Sequence, residues 1–352
     1  MGLMFSAGQI MERERGLTFD DVLLMPRHSE MNSRKAPELA SLVTKNYTLK
    51  TPIIAANMDT VSGPEMCIKM AEIGGMGILH RFMSPEEQVE NVKAMRAKIA
   101  PLGLPVAASI GVKADGMRRA DLLVDAGVDI LTIDIAHGDS VMMLEVLDYV
   151  KKKYSHIDVI AGNSAMPDGV RRLIDAGADA VKIGIGPGSM CTTRIITGCG
   201  VPQLTAVAMC AIEANKFNIP VIADGGIKTS GDIVKAFAAG AQTVMLGSML
   251  SGCLETPGEI EGGKKRYRGM ASKDAQVSWR GELPQGMAAE GEARWVPCKG
   301  SVANIIDELC GGLRSGMTYV NAQNITDIFK NALFMEMTAS GMNESKPHGL
   351  NL

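Results

Sequence analysis

Eight short apolar runs recur along the chain, and most of them are followed by an amphipathic helical pattern. The runs are rich in Ile, Val and Ala and occupy residues 53–56, 76–79, 106–110, 130–133, 159–161, 180–183, 221–223 and 243–246. Helical spacing of apolar residues is clear between several of them, at 117–126, 141–152 and 167–176. Short apolar strands that alternate with helices predict parallel βαβ units, and eight in succession predict an α/β fold, the (βα)8 TIM barrel. A doubly wound open sheet is the alternative, although it would normally have fewer strands.

A weak internal repeat supports the barrel, and two segments fall outside its pattern. Ala-Gly steps at 126–130, 176–180 and 239–243 each link a helix end to the next strand, where glycine is the usual C′ residue. We expect a single (βα)8 domain over residues 1–352, with an N-terminal extension at 1–50 and a final helix at 301–313. Residues 255–300 are polar, glycine-rich and poor in periodicity, so we interpret them as a functional flap and call them the flap segment.

Composition argues against several classes of protein. Hydrophobic residues make up 46% of the chain and charged residues 21%, which suits a large buried core. Acids and bases are interspersed around a net charge of −3, so we expect no nucleic-acid partner. No apolar run approaches the ~20 residues that cross a bilayer, and residues 1–16 do not resemble a secretory signal, so we expect no membrane partner. The seven cysteines are odd in number and irregularly spaced, which argues against a disulfide framework or a zinc site and predicts a cytoplasmic protein.

The glycine-rich run at residues 184–194 is the most specific chemical signal in the chain. It follows a strand-like run and places three alternate glycines ahead of Ser189 and Cys191. Such glycines let the backbone turn tightly, and their N–H groups form a nest that binds anions. A thiol just beyond a phosphate cradle predicts a nucleophile aimed at a phosphorylated substrate. The plainer interpretation is a glycine-rich turn beside a structural cysteine, which the dense Gly, Ser and Thr context disfavours.

Polar residues also cluster directly after the other predicted strands. Barrel chemistry collects at the carboxyl ends of the strands, so side chains at equivalent positions predict one shared pocket. These residues are Asn57, Asp59, His80, Arg81, Asp134, His137, Ser140, Asn163, Ser189, Cys191, Thr193, Asp224, Gly225, Gly226, Gly247 and Ser248.

The motifs around these residues resemble those of the IMP dehydrogenase/GMP reductase family. The match covers nearly the whole chain in order, through residues 18–24, 57–61, 161–163, 184–194, 223–227, 245–248 and 267–270. The cysteine-loop motif is highly specific among these. The resemblance implies a (βα)8 barrel, usually a homotetramer, with a purine nucleotide (GMP or IMP) joined covalently to the loop cysteine.

Several features resemble the reductase branch. The chain runs from Arg81 through one helix to the third strand, without the paired CBS domains that most dehydrogenases insert there. Dehydrogenases activate water with an Arg-Tyr pair in the flap, but no Arg-Tyr follows Met270 here, and the candidate arginine is Arg280. Residues 133–138, 289–291 and 296–300 also resemble reductase sequences. This favours a GMP reductase, which converts GMP and NADPH to IMP, ammonia and NADP+.

Other features resemble the dehydrogenases and keep two alternatives open. Residues 18–24 and the tail at 341–348 are dehydrogenase-like, and Met287 stands where many reductases carry an arginine, which weakens the prediction of NADPH over NADH or NAD. The first alternative is therefore an IMP dehydrogenase without CBS domains that oxidises IMP to XMP with NAD. The second is a barrel that binds purine nucleotides without turnover.

The resemblance assigns roles residue by residue. It implies Cys191 as nucleophile and Thr193 and Glu290 as proton carriers, although Glu290 could instead be a solvated surface carboxylate. Asp59 and His137 are as well explained by structural roles as by catalysis. Substrate binding is implied for Asn57, Met58, Ser189, Asp224, Gly225, Gly226, Gly247, Ser248, Gly269 and Met270. The nicotinamide side is implied for Arg81, Asp134, Ala136 and Asn163, and a K+ site for the backbone carbonyls of Gly186, Gly188 and Cys191.

Overall fold

Eight parallel strands close into a barrel in the computed structural model, which describes residues 4–282 and 285–347. The strands are β1 Ile53–Ala55, β2 Met76–Leu79, β3 Ala107–Ile110, β4 Ile130–Asp134, β5 Asp158–Ser164, β6 Ala180–Ile183, β7 Val221–Asp224 and β8 Thr243–Leu246. Each strand pairs with its neighbour in sequence, and β8 closes on β1 through the pair Val244 and Ile53. The predicted (βα)8 barrel is confirmed, and the open sheet is wrong.

Alternation along the strands divides the core into an interior and an outer layer. On β1, Ile54 points into the barrel, whereas Ile53 and Ala55 pack in the outer layer with the helices. A hairpin of Ser41–Leu42 and Thr48–Leu49 lies at the amino ends of the strands. The barrel interior is filled by Ile54, Ala56, Met76, Ile78, Ala107, Ile130, Ile160, Ala180, Ile222 and Met245, with Val43 and Leu49 of the hairpin. The amino end is therefore closed, which leaves the carboxyl end for a site.

The helices begin at recognisable signals. Three of them carry proline in the first turn, where its missing N–H is not needed, and others are capped by Ser or Thr side chains. They are α1 Pro64–Glu72, α2 Pro85–Ile99, α3 Ala114–Asp125, α4 Val141–Lys153, α5 Pro167–Asp175, α6 Thr193–Thr197, α7 Gln203–Asn215, α8 Ser230–Ala238, α9 Lys273–Arg280, α10 Val302–Tyr319, α11 Ile325–Asn331 and α12 Ala339–Glu344, with short 3-10 turns at Ala7–Glu12, Phe19–Asp21 and Ala100–Leu102.

The two ends of the chain meet in a small antiparallel sheet. Its central strand, Phe334–Glu336, pairs with Met4–Phe5 on one side and Val22–Leu24 on the other. The prediction of a final helix at 301–313 was wrong in extent, because α10 continues to Tyr319 and α11 and α12 follow it. Residue 348 of the dehydrogenase-like tail lies outside the described residues.

The flap segment contains regular structure that its composition conceals. Strands β9 Lys264–Arg268 and β10 Ala293–Pro297 form an antiparallel hairpin, and α9 lies between them in sequence. On β9 only Lys265 and Tyr267 are buried, so the strand reads as polar. No separate domain interrupts the chain between β2 and β3, where α2 makes the connection.

Two further properties concern the helices and the cysteines. In the described ranges, no helix has both the length and the apolar surface needed to cross a bilayer. All seven cysteines are free thiols. Cys199 is exposed to solvent, whereas Cys67 and Cys210 are buried. Burial raises the pKa of the Cys67 and Cys210 thiols, so these two behave as inert apolar side chains.

Candidate active site

A cavity of about 380 Å³ opens at the carboxyl ends of the barrel strands. The predicted catalytic, substrate, nicotinamide and cation residues all line it, which confirms that they share one pocket; the role of each stays a prediction. They are Asn57, Met58, Arg81, Asp134, Ala136, Asn163, Gly186, Gly188, Ser189, Cys191, Thr193, Asp224, Gly225, Gly226, Gly247, Ser248, Gly269, Met270 and Glu290.

Four of the polar strand-end residues do not line the cavity. Asp59 forms an ion pair with Arg268, with 2.5 Å between Oδ2 and Nη2. The buried His80 accepts a 3.2 Å hydrogen bond at Nδ1 from the Phe82 N–H, and burial lowers its pKa to about 4. His137 is exposed, and Ser140 caps α4. These residues have structural or surface positions, which removes them from the set of candidates for chemistry.

The cysteine loop follows β6 in a backbone conformation that depends on glycine. Gly184 has a φ of +148°, and a Cβ there would lie 2.1 Å from the carbonyl oxygen of Asp224. Gly186 has a φ of +81°, in the left-handed region that side chains disfavour. A Cβ on Gly225 would meet the backbone nitrogen of Gly188 at 3.1 Å. The turn after β7 therefore packs closely against the cysteine loop.

Arg194 joins the two ends of the cysteine loop. Its Nε donates to the carbonyl of Ile185 at 3.1 Å, and its Nη2 donates to the carbonyl of Val201 at 2.6 Å. Gly186 and Gly200 make room for this side chain, because a Cβ on either would lie within 2.7 Å of its Cγ. Burial lowers the pKa of Arg194, with Cys191 acting in the opposite direction. The loop is thus held in one shape around the nucleophile.

The flap segment pairs with the cysteine loop through the backbone. The Thr192 N–H donates to the carbonyl of Glu290 at 3.1 Å, and the Glu292 N–H donates to the carbonyl of Met190 at 2.9 Å. Cys191 and Gly291 stand opposite each other in this short antiparallel bridge. The position of Glu290 is therefore fixed by main-chain contacts rather than by its own side chain.

This pairing completes a hydrogen-bonded chain of three side chains. The Cys191 thiol donates from Sγ to Thr193 Oγ1 at 3.2 Å, and the Thr193 hydroxyl donates to Glu290 Oε2 at 2.7 Å. All three residues line the cavity. A thiol, a hydroxyl and a carboxylate in series can move a proton between the nucleophile and a leaving group.

A buried ion cluster lies on the opposite, barrel side of the cavity. Lys182 Nζ is 2.8 Å from Asp134 Oδ1 and 2.6 Å from Asp224 Oδ2, and it also donates to Asn163 Oδ1. Asn57 Nδ2 donates to Asp134 Oδ2 at 3.0 Å. Burial opposes the charge on Lys182, but Asp134 and Asp224 outweigh it and raise its pKa. Burial likewise opposes the charge on Asp134, yet Lys182 holds the pKa of that carboxyl below its usual value.

Sequence reasoning missed Lys182 and Tyr267. Lys182 is the only charged residue of β6. It lies two residues after the inward-facing Ala180, so alternation along the strand could have predicted that its side chain also points into the barrel. Tyr267 lies within a motif that carried the family resemblance, and its hydroxyl is 3.3 Å from Ser189 Oγ. Burial raises the pKa of Tyr267, with its bond to Ser189 acting the other way.

An aromatic pair borders the mouth of the cavity. Phe82 of the barrel and Trp279 of α9 meet edge to face, with 5.8 Å between ring centroids. The Arg81 guanidinium lies 4.8 Å from the Phe82 ring centroid. Both rings line the cavity beside Arg280. The flap segment thus contributes Trp279, Arg280 and Glu290 to a site whose floor belongs to the barrel.

Comparison with known proteins agrees with this architecture. The family model described as IMP dehydrogenase / GMP reductase domain matches residues 16–348. An inosine-5'-monophosphate dehydrogenase of Cryptosporidium parvum is 40% identical, over 96% of this chain and 96% of that protein. A GMP reductase of Leishmania donovani is 35% identical, over 99% of this chain and 100% of that protein. A cysteine-to-alanine variant of Trypanosoma brucei GMP reductase, solved with guanosine 5'-monophosphate, superposes with a TM-score of 0.88 at 33% identity, covering 97% of this chain and 99% of that one.

Proposed function

The chain belongs to the IMP dehydrogenase/GMP reductase family of oxidoreductases, and from that premise we propose that it is a GMP reductase, which reduces GMP to IMP and releases ammonia. The observation that carries this proposal is the hydrogen-bonded series Cys191, Thr193 and Glu290 beside the phosphate-binding turns. Departure of ammonia from the purine requires a proton at the exocyclic amine, and this series is placed to deliver one. Both branches have relatives at 33–40% identity, so the branch rests on the site and the flap segment.

In the first step, the Cys191 sulfur bonds to C2 of the guanine ring. The thiol proton passes through the Thr193 hydroxyl to the Glu290 carboxylate, along contacts of 3.2 and 2.7 Å. The same path then returns that proton to the exocyclic amine, the bond from C2 to nitrogen breaks, and ammonia leaves. The product of this step is a covalent bond between Cys191 and C2, and no net proton is consumed. Covalent catalysis divides one difficult substitution into two easier ones.

In the second step, C2 gains a hydrogen and the sulfur leaves. A bound reduced nicotinamide would supply the hydride, and the electron pair of the breaking carbon–sulfur bond would return to the Cys191 sulfur. Cys191 then takes a proton from solvent through Thr193, which restores the thiol. The sum is GMP, NADPH and one proton going to IMP, ammonia and NADP+.

The barrel side of the cavity suits the nucleotide. Asp224 uses Oδ2 for Lys182 and Asn163, while its Oδ1 accepts no hydrogen bond from the described residues. That free oxygen fits the hydroxyls of a ribose, because a carboxylate can accept from both. The phosphate is assigned to the turns with Ser189, Gly226, Gly247 and Ser248, where backbone N–H groups and hydroxyls line the cavity.

The remaining wall suits a nicotinamide and the loop suits a cation. Arg81, Asp134, Ala136 and Asn163 line the cavity, and we assign the nicotinamide to these residues, with NADPH as the cofactor. Among the described residues no His, Cys, Asp and Glu cluster could hold a metal. We assign a K+ ion to the backbone carbonyls of Gly186, Gly188 and Cys191, as the family resemblance implies, since hard cations prefer oxygen. A homotetramer and a cytoplasmic location stay predictions.

A pair of activity assays tests the proposal. Purified protein with GMP and NADPH is expected to consume the reduced cofactor, whereas IMP with NAD should produce none. The reverse pattern would make the protein an IMP dehydrogenase, which its dehydrogenase-like residues 18–24 keep as the second candidate. No turnover in either direction, with GMP still bound, would indicate a binding protein.

Replacement of the nucleophile tests the covalent step. Cys191→Ser is expected to abolish turnover, a loss of more than about 10³-fold, because the covalent bond to C2 can no longer form. GMP affinity measured by calorimetry should stay within about threefold, since the phosphate and ribose contacts remain. Full activity in Cys191→Ser would overturn the mechanism.

A further inference from the structure

A second cavity of about 270 Å³ adjoins the active site. The two cavities share Arg81, Ile135, Trp279 and Arg280. The remaining walls of the second cavity come from the loop that precedes α3 and from α3 itself. A ligand that extends from the first cavity into the second therefore passes the residues that they share, which include both arginines.

Arg81 and Arg280 have no carboxylate or carbonyl partner among the described residues. Arg81 contacts the Phe82 ring. Its Nε is buried and donates no hydrogen bond to any described residue. Asp134, the carboxylate that attracts Arg81, is already bonded to Lys182 and Asn57. A buried donor without an acceptor is unfavourable, and such groups are usually satisfied by a ligand or water.

Arg119 differs from this pair because its donors are occupied. Its Nε donates to Asp115 at 3.2 Å, and its Nη1 donates to Gln88 Oε1 at 2.9 Å and to the carbonyl of Met83 at 3.1 Å. It therefore holds the wall of the second cavity in shape without offering free donors, and its charge is balanced by Asp115, which lines the same cavity. Exposed Lys113 adds a further cation to the lining.

Positive charge thus converges on the junction. Burial lowers the pKa of Arg81, and the charges of Arg119 and Arg280 lower it further, against the opposing carboxylates of Asp134 and Asp115. Like charges in a shared cavity repel one another, and an anion placed between them relieves the repulsion. Guanidinium groups bind phosphate oxygens in pairs of parallel hydrogen bonds, which suits them to a phosphate ligand.

We propose that Arg81 and Arg280 clamp the diphosphate of the nicotinamide dinucleotide at the junction of the two cavities. The proposal rests on the dinucleotide cofactor of the proposed function and adds the group by which this chain holds it. The purine nucleotide's phosphate is assigned to the turns around Ser189 and Gly226, so the junction needs an anion from the second ligand. In a dinucleotide, the diphosphate is the part that follows the nicotinamide riboside. Because Arg280 belongs to the flap segment, the clamp also ties the flap to the cofactor.

Calorimetric titration of NADP+ and NAD+ tests the clamp without turnover. Arg280→Gln and Arg81→Gln are each expected to weaken both dinucleotides by roughly 10- to 100-fold, and by similar factors, because both carry the same diphosphate. Inorganic pyrophosphate should compete with NADP+ in the wild type and lose that effect in the variants. Arg118→Gln is the matched control, since Arg118 lies on α3 beside the second cavity but does not line it, is exposed and pairs with Glu86.

Each outcome decides the proposal. Equal weakening of both dinucleotides, with Arg118→Gln unchanged, supports it; a loss confined to NADP+ overturns it and moves the arginines to the ribose phosphate. Unchanged affinities, or a wild type that binds neither dinucleotide, also overturn it. If the part-buried Arg81→Gln fails to fold, the exposed Arg280→Gln still gives the result. If the protein does not turn over GMP but its dinucleotide affinity falls in Arg280→Gln, the clamp is supported and the reductase assignment is wrong. If it turns over GMP and its dinucleotide affinity is unchanged in Arg280→Gln, the reductase assignment is supported and the clamp is wrong.

Discussion

The two sides of the active-site cavity are built in different ways. On the barrel side, Lys182, Asp134 and Asp224 project from strand ends, and their charges are paired and largely buried. On the flap side, Glu290, Trp279 and Arg280 are partly or fully exposed, and their segment is attached mainly through hydrogen bonds. The charged groups on the barrel side therefore contribute to the stability of the fold, whereas those on the flap side lie on a surface that the barrel forms without them.

The flap segment is attached to the barrel at several points, including an ion pair and a backbone bridge. Arg268 of β9 pairs with Asp59 of the barrel and, through Nη1 at 2.8 Å, with Asp274 of α9. The backbone bridge between Cys191 and Gly291 adds a second point. The difference teaches that substitutions on the flap side should change chemistry at constant stability, while substitutions on the barrel side should change stability first.

Glu290→Gln should give the largest effect that separates the two sides. The amide cannot take a proton from Thr193, so we expect kcat for GMP turnover to fall by about 10²–10⁴-fold. The unfolding free energy should stay within about 0.5 kcal/mol, because Glu290 is placed by its backbone. Consumption of NADPH and denaturant titration provide the two measurements.

Glu292→Gln is the matched control for that experiment. Glu292 lies two residues further along the same bridge, is exposed to solvent and pairs with Arg294 at 3.0 Å. Its replacement should leave kcat within about twofold, as exposed ion pairs contribute little. A Glu290→Gln enzyme that keeps more than half of its activity would remove Glu290 from the proton path.

Lys182→Met should give the corresponding effect on the barrel side. Removal of the ammonium leaves Asp134 and Asp224 near each other without their shared partner, so the unfolding free energy should fall by about 3 kcal/mol at pH 7. Lys182 holds the pKa of Asp134 down, so its contribution is present above the unfolded value of about 4 and is lost as pH falls below it. Urea titration at pH 7 and pH 3.5 should show the deficit narrowing in acid.

Lys182→Arg tests whether charge or size causes that loss. A guanidinium keeps the positive charge, so it should recover more than half of the lost stability if pairing dominates. Lys182→Met with unchanged stability at both pH values would show that the ion cluster does not belong to the fold, and the contrast between the two sides would fail.

The same contrast explains which parts could be predicted from sequence. The predicted ends of the eight strands lie within three residues of the observed ends. The prediction succeeded because short apolar runs and Ala-Gly helix ends are local signals in the sequence. Once strand ends were known, barrel geometry gathered the site residues, and the cavity contains every one that the resemblance assigned. Lys182 was missed because it is a charged residue within an apolar strand. Its two carboxylate partners, Asp134 and Asp224, come from other strands, so the local sequence does not show that its charge is paired.

We predicted that the flap segment is functional, but we did not predict its hairpin and helix. Its hairpin is stabilised by pairs such as Lys265 with Val296 and Tyr267 with Arg294, which lie 27 or more residues apart, and the short polar strands carry little periodicity. The ammonium of buried Lys265 is satisfied by the carbonyls of Cys253, Leu254 and Thr256, a tertiary arrangement that no local pattern announces. The extent of α10 was missed because Gly316, beyond the predicted end at residue 313, lies inside the helix where a glycine suggests a break.

His80 should give the smallest effect, at the border between the two sides. Burial lowers its pKa to about 4, while Asp59 opposes and Arg268 of the flap segment assists. The unfolded chain takes up a proton near pH 6.5 and the folded chain does not, so stability is full above that value and declines as pH falls toward 4. We expect about 2 kcal/mol to be lost between pH 7 and pH 5 through this group, measured by urea titration as the difference between wild type and His80→Gln. His137→Gln, which removes an exposed imidazole, should keep the wild-type slope. A His80→Gln protein with the wild-type slope would mean that His80 is protonated in the fold, and that the pairing of Asp59 with Arg268 does not isolate it from solvent.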